Sequence, residues 1–280
     1  FPAGSLIVTR RNNEDIPNFD ELIARLANEF SRTVFTAQTG FVDEGKDLGS
    51  GDLNFLTAPH IAVLFGKQTS ALSSGEIWHF FEQQIKYPIT QVSADFFDVS
   101  DLKKYNVLIV PEGSYKLFDD PTLEQLSSWV SHGGRVILIG SALSHFVDRK
   151  GFGLKEFGSE AEKAEAEQLE KQHQGVQGLP RYEEVQRKQL SENISGAIYK
   201  APLDNSHPLG LGMKPSYYTL KNHERRFAWL SNGWNVSYFQ RNVKPVQGFA
   251  GYRANRVLEN SLLVGVEDIV AVDVADVADG

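Results

Sequence analysis

Cysteine is absent from this 280-residue chain, which excludes disulfides, thiolate metal ligands and a cysteine nucleophile in one step. It leaves the cellular compartment open. An excess of positive charge is missing too: 28 Lys and Arg stand against 36 Asp and Glu, for a net charge of -8. The basic residues occur only in short pairs such as Arg10–Arg11 and Arg225–Arg226. Neutralising a run of phosphates takes clustered cations, so nucleic acid is not an expected partner. No apolar run approaches the roughly 20 residues needed to cross a bilayer, so no membrane span is expected. Methionine is nearly missing, with Met213 alone, and the chain starts at Phe1. It therefore reads as a fragment or a processed chain, from which any targeting segment would have been lost.

What is present is ample apolar content for a packed core, in a length suited to one large or two ordinary domains. Residues 1–57 read as a leading β-α-β segment. Ser5–Arg10 and Thr33–Ala37 are β-branched runs, and between them Phe19, Leu22, Ile23, Leu26 and Phe30 recur at helical spacing behind Asn18 as N-cap. The stretch Thr39–Thr57 is punctuated like an irregular connection. Its Asp43, Glu44, Asp47 and Asp52 do not follow the spacing of a twelve-residue calcium loop, and solvated loop is the preferred reading.

Residues 58–280 read as the main domain, with a charged insertion at about 156–192. Strand-sized runs at Ile61–Phe65, Ile89–Ala94, Val107–Val110 and Val136–Ile139 alternate with two helical patterns. One carries Ile77, Trp78, Phe81 and Ile85, with Ser73 or Ser74 as its cap. The other starts at Asp120-Pro121 and carries Leu123, Leu126, Trp129 and Val130. Such alternation implies right-handed crossovers and an α/β fold: a three-layer, mainly parallel sheet. After the insertion, strands are expected at Ile198–Leu203, Tyr217–Leu220, Phe227–Leu230, Val236–Phe239 and Ser261–Val266, with a short helix before the last and a frayed strand at the end.

Open parallel sheets bind ligands beyond the carboxyl ends of their strands. Here those ends carry Glu112, Gly113 and Ser114 on one strand and Gly140 and Ser141 on the next, and these five are the candidate ligand-binding residues. Backbone amides there suit an anion, which the charge of Glu112 opposes. Ser141 sits where a strand-to-helix turn would expose a nucleophile, with His145 or His207 as candidate base. The flanking Ile139 and Leu143 stand where a strained elbow has glycines, so a structural serine is preferred. His79 and Glu82 have the spacing of a zinc pair but no evident third ligand, and read as helix surface. His207-Pro208 and His223-Glu224 read as turn residues. Trp229, Trp234, Tyr238 and Phe239 read as packing in preference to a sugar platform.

The segments APHIAVLFGKQTSALSSGEIWHFFEQQIKYPITQV, YNVLIVPEGSY, GGRVILIGSALSHF, HPLGLGM and GFAGYRANRVLENSLLVGVED resemble the region downstream of the catalytic domain in large bacterial zinc metallocarboxypeptidases. The resemblance covers nearly the whole chain. It implies a flavodoxin-like fold of the class I glutamine-amidotransferase type, and the HPLGLGM turn is also similar to trehalose-utilisation-type relatives of that fold. By this resemblance zinc and the peptidase chemistry belong to a separate upstream domain, and His79 and Glu82 take no part in them. Amidotransferases place a cysteine at the elbow, where this chain has Gly140 and Ser141, and their His-x-Glu partner motif is missing. The expectation is a non-catalytic accessory domain, a pseudoenzyme with no cofactor of its own, in a periplasmic or extracellular zinc carboxypeptidase. Its partners would be the upstream peptidase domain and a peptide or glycan. A Ser141-dependent hydrolase and a carbohydrate- or peptide-binding module are the alternatives.

Overall fold

The computed structural model describes residues 5–51, 56–158, 182–223, 225–267 and 270–272. The chain divides into two compact units, Phe1–Ala58 and Pro59–Gly280.

The first unit is built on one helix, α1 (Phe19–Glu29), whose first turn carries Asp20 and Glu21, where carboxylates complement the dipole. Asn18 does not cap it as expected. Its backbone is left-handed, with φ 54°, and its side chain makes no capping bond. The two flanking runs, Ser5–Arg10 and Thr33–Ala37, do not enter a sheet, which corrects the expected β-α-β arrangement. β-branched composition favours a strand only when a neighbouring strand and a surface to pack on are supplied. Leu6, Val8, Val34 and Phe35 are exposed, and no described residue of this unit is buried.

The second unit contains a seven-stranded sheet in the order β2-β1-β3-β4-β10-β9-β7. Its strands are β1 (Ile61–Phe65), β2 (Ile89–Ser93), β3 (Val107–Val110), β4 (Arg135–Ile139), β7 (Trp234–Tyr238), β9 (Leu262–Val266) and β10 (Val270–Val272). The first five in spatial order run parallel, and β9 runs antiparallel to both its neighbours. The order 2-1-3-4, closed by a fifth parallel strand, is the flavodoxin-like doubly wound arrangement.

Alternating side chains point to opposite faces of the sheet and build its two outer layers. On one face Ala62, Leu64, Leu108, Val110, Val136 and Leu138 pack with Leu123, Leu126 and Val130 of α3 (Asp120–Ser131). On the other, Ile61, Val63 and Ile109 pack with Ile77 of α2 (Ala71–His79) and Phe81 of the π-helical turn that follows it. The cap of α2 is Ser70, earlier than the expected Ser73 or Ser74. Asp119 caps α3, leaving Asp120 as its first residue and Pro121 in the first turn.

After α4 (Tyr182–Ser191) the chain builds something the periodicity did not reveal, a separate antiparallel sheet in the order β6-β5-β8. It comprises β5 (Ile194–Pro202), β6 (Ser216–Lys221) and β8 (Gln247–Ala250). With α5 (Tyr252–Leu258) it shares a core of Ile194, Tyr199, Phe239, Leu258 and Leu263. The expected strand Phe227–Leu230 is reduced to single bridges from Phe227 to Glu156 and Leu262. Most of the charged insertion, 159–181, lies outside the described residues, as does the end of the chain after Val272.

Candidate functional site

The sheet reverses its winding between β1 and β3, and there the chain fills its own crevice. Thr69 and Gly113 form a bridge, Ser70 N–H donates to the Glu112 carbonyl at 2.7 Å, and Ser114 N–H donates to the Gln68 carbonyl at 2.9 Å. The Gln68 side chain ties the loop to both sides, donating to the Ala94 carbonyl and accepting from Lys116 N–H at 2.6 Å. Gly113 is required at this crossing because a β-carbon would collide with the Gln68 carbonyl and the Tyr115 ring. Backbone amides that a ligand would use are thereby spent on the chain itself.

Next to this seam four of the five candidate residues come together. Gly140 turns the chain after β4 with φ +56°, and a β-carbon there would run into the Glu112 side chain. Glycine lets the Glu112 carboxylate lie across the end of β4. Its Oε1 accepts from Ser141 N–H at 3.3 Å and from Arg225 Nη2 at 3.1 Å. Arg225 comes from the connection between β6 and β7, and both side chains are about two-thirds buried. Among the described residues the Arg225 Nε is buried without a hydrogen-bond partner, so only one limb of the guanidinium fork is used there. The fifth residue, Ser114, acts through its backbone in closing the seam.

The hydroxyl of Ser141 is fully engaged by Gly113, accepting from its N–H at 2.9 Å and donating to its carbonyl at 3.0 Å. Its proton is directed at a backbone oxygen, away from any base. His145 lies in the 3-10 turn Gly140–His145 and accepts from Tyr115 N–H through Nε2 at 3.1 Å. That bond assigns the imidazole proton to Nδ1. Burial, with the nearby charge of Arg149, holds the ring below the usual histidine range. No hydrogen bond joins Ser141 to His145, so the pair lacks the contact by which a base activates a hydroxyl. His207 is further removed. It caps the turn Pro208–Gly210, accepting from Leu209 N–H, and its ring lies 6.0 Å from that of Trp234 on β7. β7 is three strands from β4, or about 14 Å at ordinary strand spacing.

His79 ends α2 and Glu82 falls in the π-helical turn. Among the described residues no group of three His, Asp or Glu side chains is placed to hold a metal ion. Asp47 accepts from Val42 N–H at 3.1 Å, while Asp52 lies outside the described residues, as does Glu224. Of the aromatic group, Phe239 is core, whereas Trp229 and Trp234 are 51% and 66% exposed. A depression of about 280 Å³ beside the end of β1 is lined by Phe65, Thr69, Ala71 and Trp78 and contains none of the candidate residues. No helix of the described residues is long and apolar enough to cross a membrane.

Sequence reasoning missed Arg225, noted only as one of a basic pair. A signal was available in β6, where Thr219 and Lys221 are both buried and alternate inward. A lysine at an inward position marks a polar interior, and Lys221 Nζ donates to the Arg225 carbonyl at 3.3 Å. His223 beside them accepts from Arg225 N–H through Nδ1. Its burial, with the charges of Lys221 and Arg225, pushes it down to about 3.

No family model matches the chain, and no curated protein matches it. Among solved structures it is similar to a glutamine amidotransferase from Thermotoga maritima, at 7% identity and a TM-score of 0.41, covering 78% of this chain and 75% of that one. It is also similar to a glutamine amido transferase from Methylobacillus flagellatus, at 12% identity and a TM-score of 0.41, covering 77% and 69%. The fold assignment rests on the strand order and the two helical layers: this is an α/β chain with a mainly parallel, flavodoxin-like sheet.

Proposed function

We propose that the chain is a non-catalytic accessory region of a bacterial zinc metallocarboxypeptidase, supporting the peptidase domain or holding its substrate. The observation that carries the non-catalytic part is the engagement of all three catalytic candidates by backbone: Ser141 by Gly113, His145 by Tyr115 N–H, and His207 by Leu209 N–H. A serine whose proton points at a carbonyl, beside a desolvated histidine whose Nε2 is already occupied, makes no nucleophile–base pair. The peptidase context comes from the resemblance of the chain segments. In this reading zinc belongs to the upstream domain, which is the principal partner, and the location is periplasmic or extracellular.

Two tests separate the parts of this reading. The gene upstream of Phe1 should encode a His-x-x-Glu pair, a later histidine and a glutamate base; their absence removes the carboxypeptidase context. The purified chain, given ester, amide and peptide substrates with and without zinc, should turn over none of them. Activity lost on Ser141→Ala would establish the hydrolase instead. A binding module is favoured by the exposed faces of Trp229 and Trp234, and saturable glycan binding abolished by Trp234→Ala would support it.

A further inference from the structure

The Glu112 carboxylate lies where an anion would be expected, on a backbone N–H beyond a strand end and on a guanidinium. Three observations converge there. The contacts are charge-assisted, Glu112 Oε1 accepting from Ser141 N–H and from Arg225 Nη2. Among the described residues the Arg225 fork is half used, because Nε is buried without a partner while Nη2 reaches Glu112. Arginine grips a free carboxylate best through two parallel bonds, which Glu112, tethered to the end of β3, does not complete. Finally, Gly140 removes the side chain that would otherwise fill this space, and both members of the ion pair keep about a third of their surface open to solvent. Solvent therefore reaches the ion pair, although Arg225 Nε itself is buried behind it.

We propose that Arg225 and the Ser141 N–H form a carboxylate receptor, and that Glu112 is its internal occupant, exchanged for the carboxylate of a ligand. This deepens the accessory reading of the same crevice, since a carboxylate is what a substrate-holding site beside a carboxypeptidase would recognise. Bound ligand and Glu112 compete for the same donors. The apparent affinity of the wild-type chain is then the intrinsic affinity reduced by the fraction of molecules in which Glu112 has swung away.

The test titrates the 280-residue chain and its Glu112→Gln and Glu112→Ala variants with acetate, with N-acetyl-dialanine and with the terminal amide of that dipeptide. Calorimetry and the shift of the melting temperature are read together. Glu112→Gln keeps the shape while removing the competing charge, and covers the case in which Glu112→Ala fails to fold. Expected is acetate binding tightened about tenfold in the variants and returned to the wild-type level or below when Arg225→Gln is added. Free-acid dipeptide binding more tightly than acetate assigns a peptide terminus as the source; binding equal to or weaker than acetate assigns a small free carboxylate. Affinity unchanged by removing Glu112, or the amide binding as tightly as the acid, overturns the receptor. Hydrolysis by the chain would overturn the accessory reading while leaving these binding results as they stand, so the two failures are distinguishable.

Discussion

Arg225 Nη2 lies 3.1 Å from Glu112 Oε1, joining the β6–β7 connection to the carboxyl end of β3 across 113 positions of sequence. The contact ties the part of the chain that follows the charged insertion to the parallel sheet. Both partners are about two-thirds buried, so the pair stands between the weak surface case and the costly buried one. Arg225→Ala should lower unfolding stability by about 1–2 kcal/mol. A double-mutant cycle with Glu112→Ala, followed by urea denaturation, should show coupling; additive losses would mean the pair contributes nothing.

Glycine substitutions should separate according to what a β-carbon meets. Gly113→Ala and Gly140→Ala place that carbon against the Gln68 carbonyl and the Glu112 side chain, and Gly140 also has φ +56°. Each should cost about 1–3 kcal/mol. Gly75 sits in α2 with nothing within 4 Å of such a carbon, so Gly75→Ala should stabilise by about 0.5–1 kcal/mol. Melting temperatures of the three variants check the ordering.

Acid should destabilise the fold in two successive, overlapping windows. His223 is pushed from 6.5 down to about 3, first by burial and then by Lys221 and Arg225, and His145 is shifted in the same direction by burial and Arg149. The unfolded chain binds protons at these sites that the folded chain refuses. Their contribution is therefore complete above about pH 6.5 and is lost as pH falls below that value. The Asp98, Asp119 and Asp204 carboxyls are held below 3.8 chiefly by hydrogen bonds to Ser100, Thr122 and Ser206. They add lability only below about pH 3.8. Urea unfolding between pH 7 and 4.5 should show a decline that His223→Gln flattens. An unchanged slope in that variant would place the proton uptake elsewhere.

The parallel half of the fold was legible because buried strands write themselves locally. β1 and β3 coincide with their apolar runs, and α3 follows its periodic leucines. Where packing decides, the sequence spoke less clearly. Ser5–Arg10 and Thr33–Ala37 have strand composition without a neighbouring strand. Phe227–Leu230 has it too, yet is held only by bridges to Glu156 and Leu262. At the strand ends, Glu112, Gly113, Gly140 and Ser141 could be placed near one another from the sequence alone, and they do meet. Arg225 could not, because its approach depends on a three-stranded sheet whose register is set by packing, and the one local hint, the Thr219/Lys221 alternation in β6, acquires meaning only once that face is known to be buried.

The central claim, that this crevice does not carry out nucleophilic chemistry, is tested most directly by exposing the chain to a fluorophosphonate and measuring its intact mass. A serine held by Gly113 and given no base should remain unlabelled, and the mass should be unchanged. Stoichiometric addition mapped by peptide analysis to Ser141, and lost in Ser141→Ala, would contradict the claim and identify a working hydrolase.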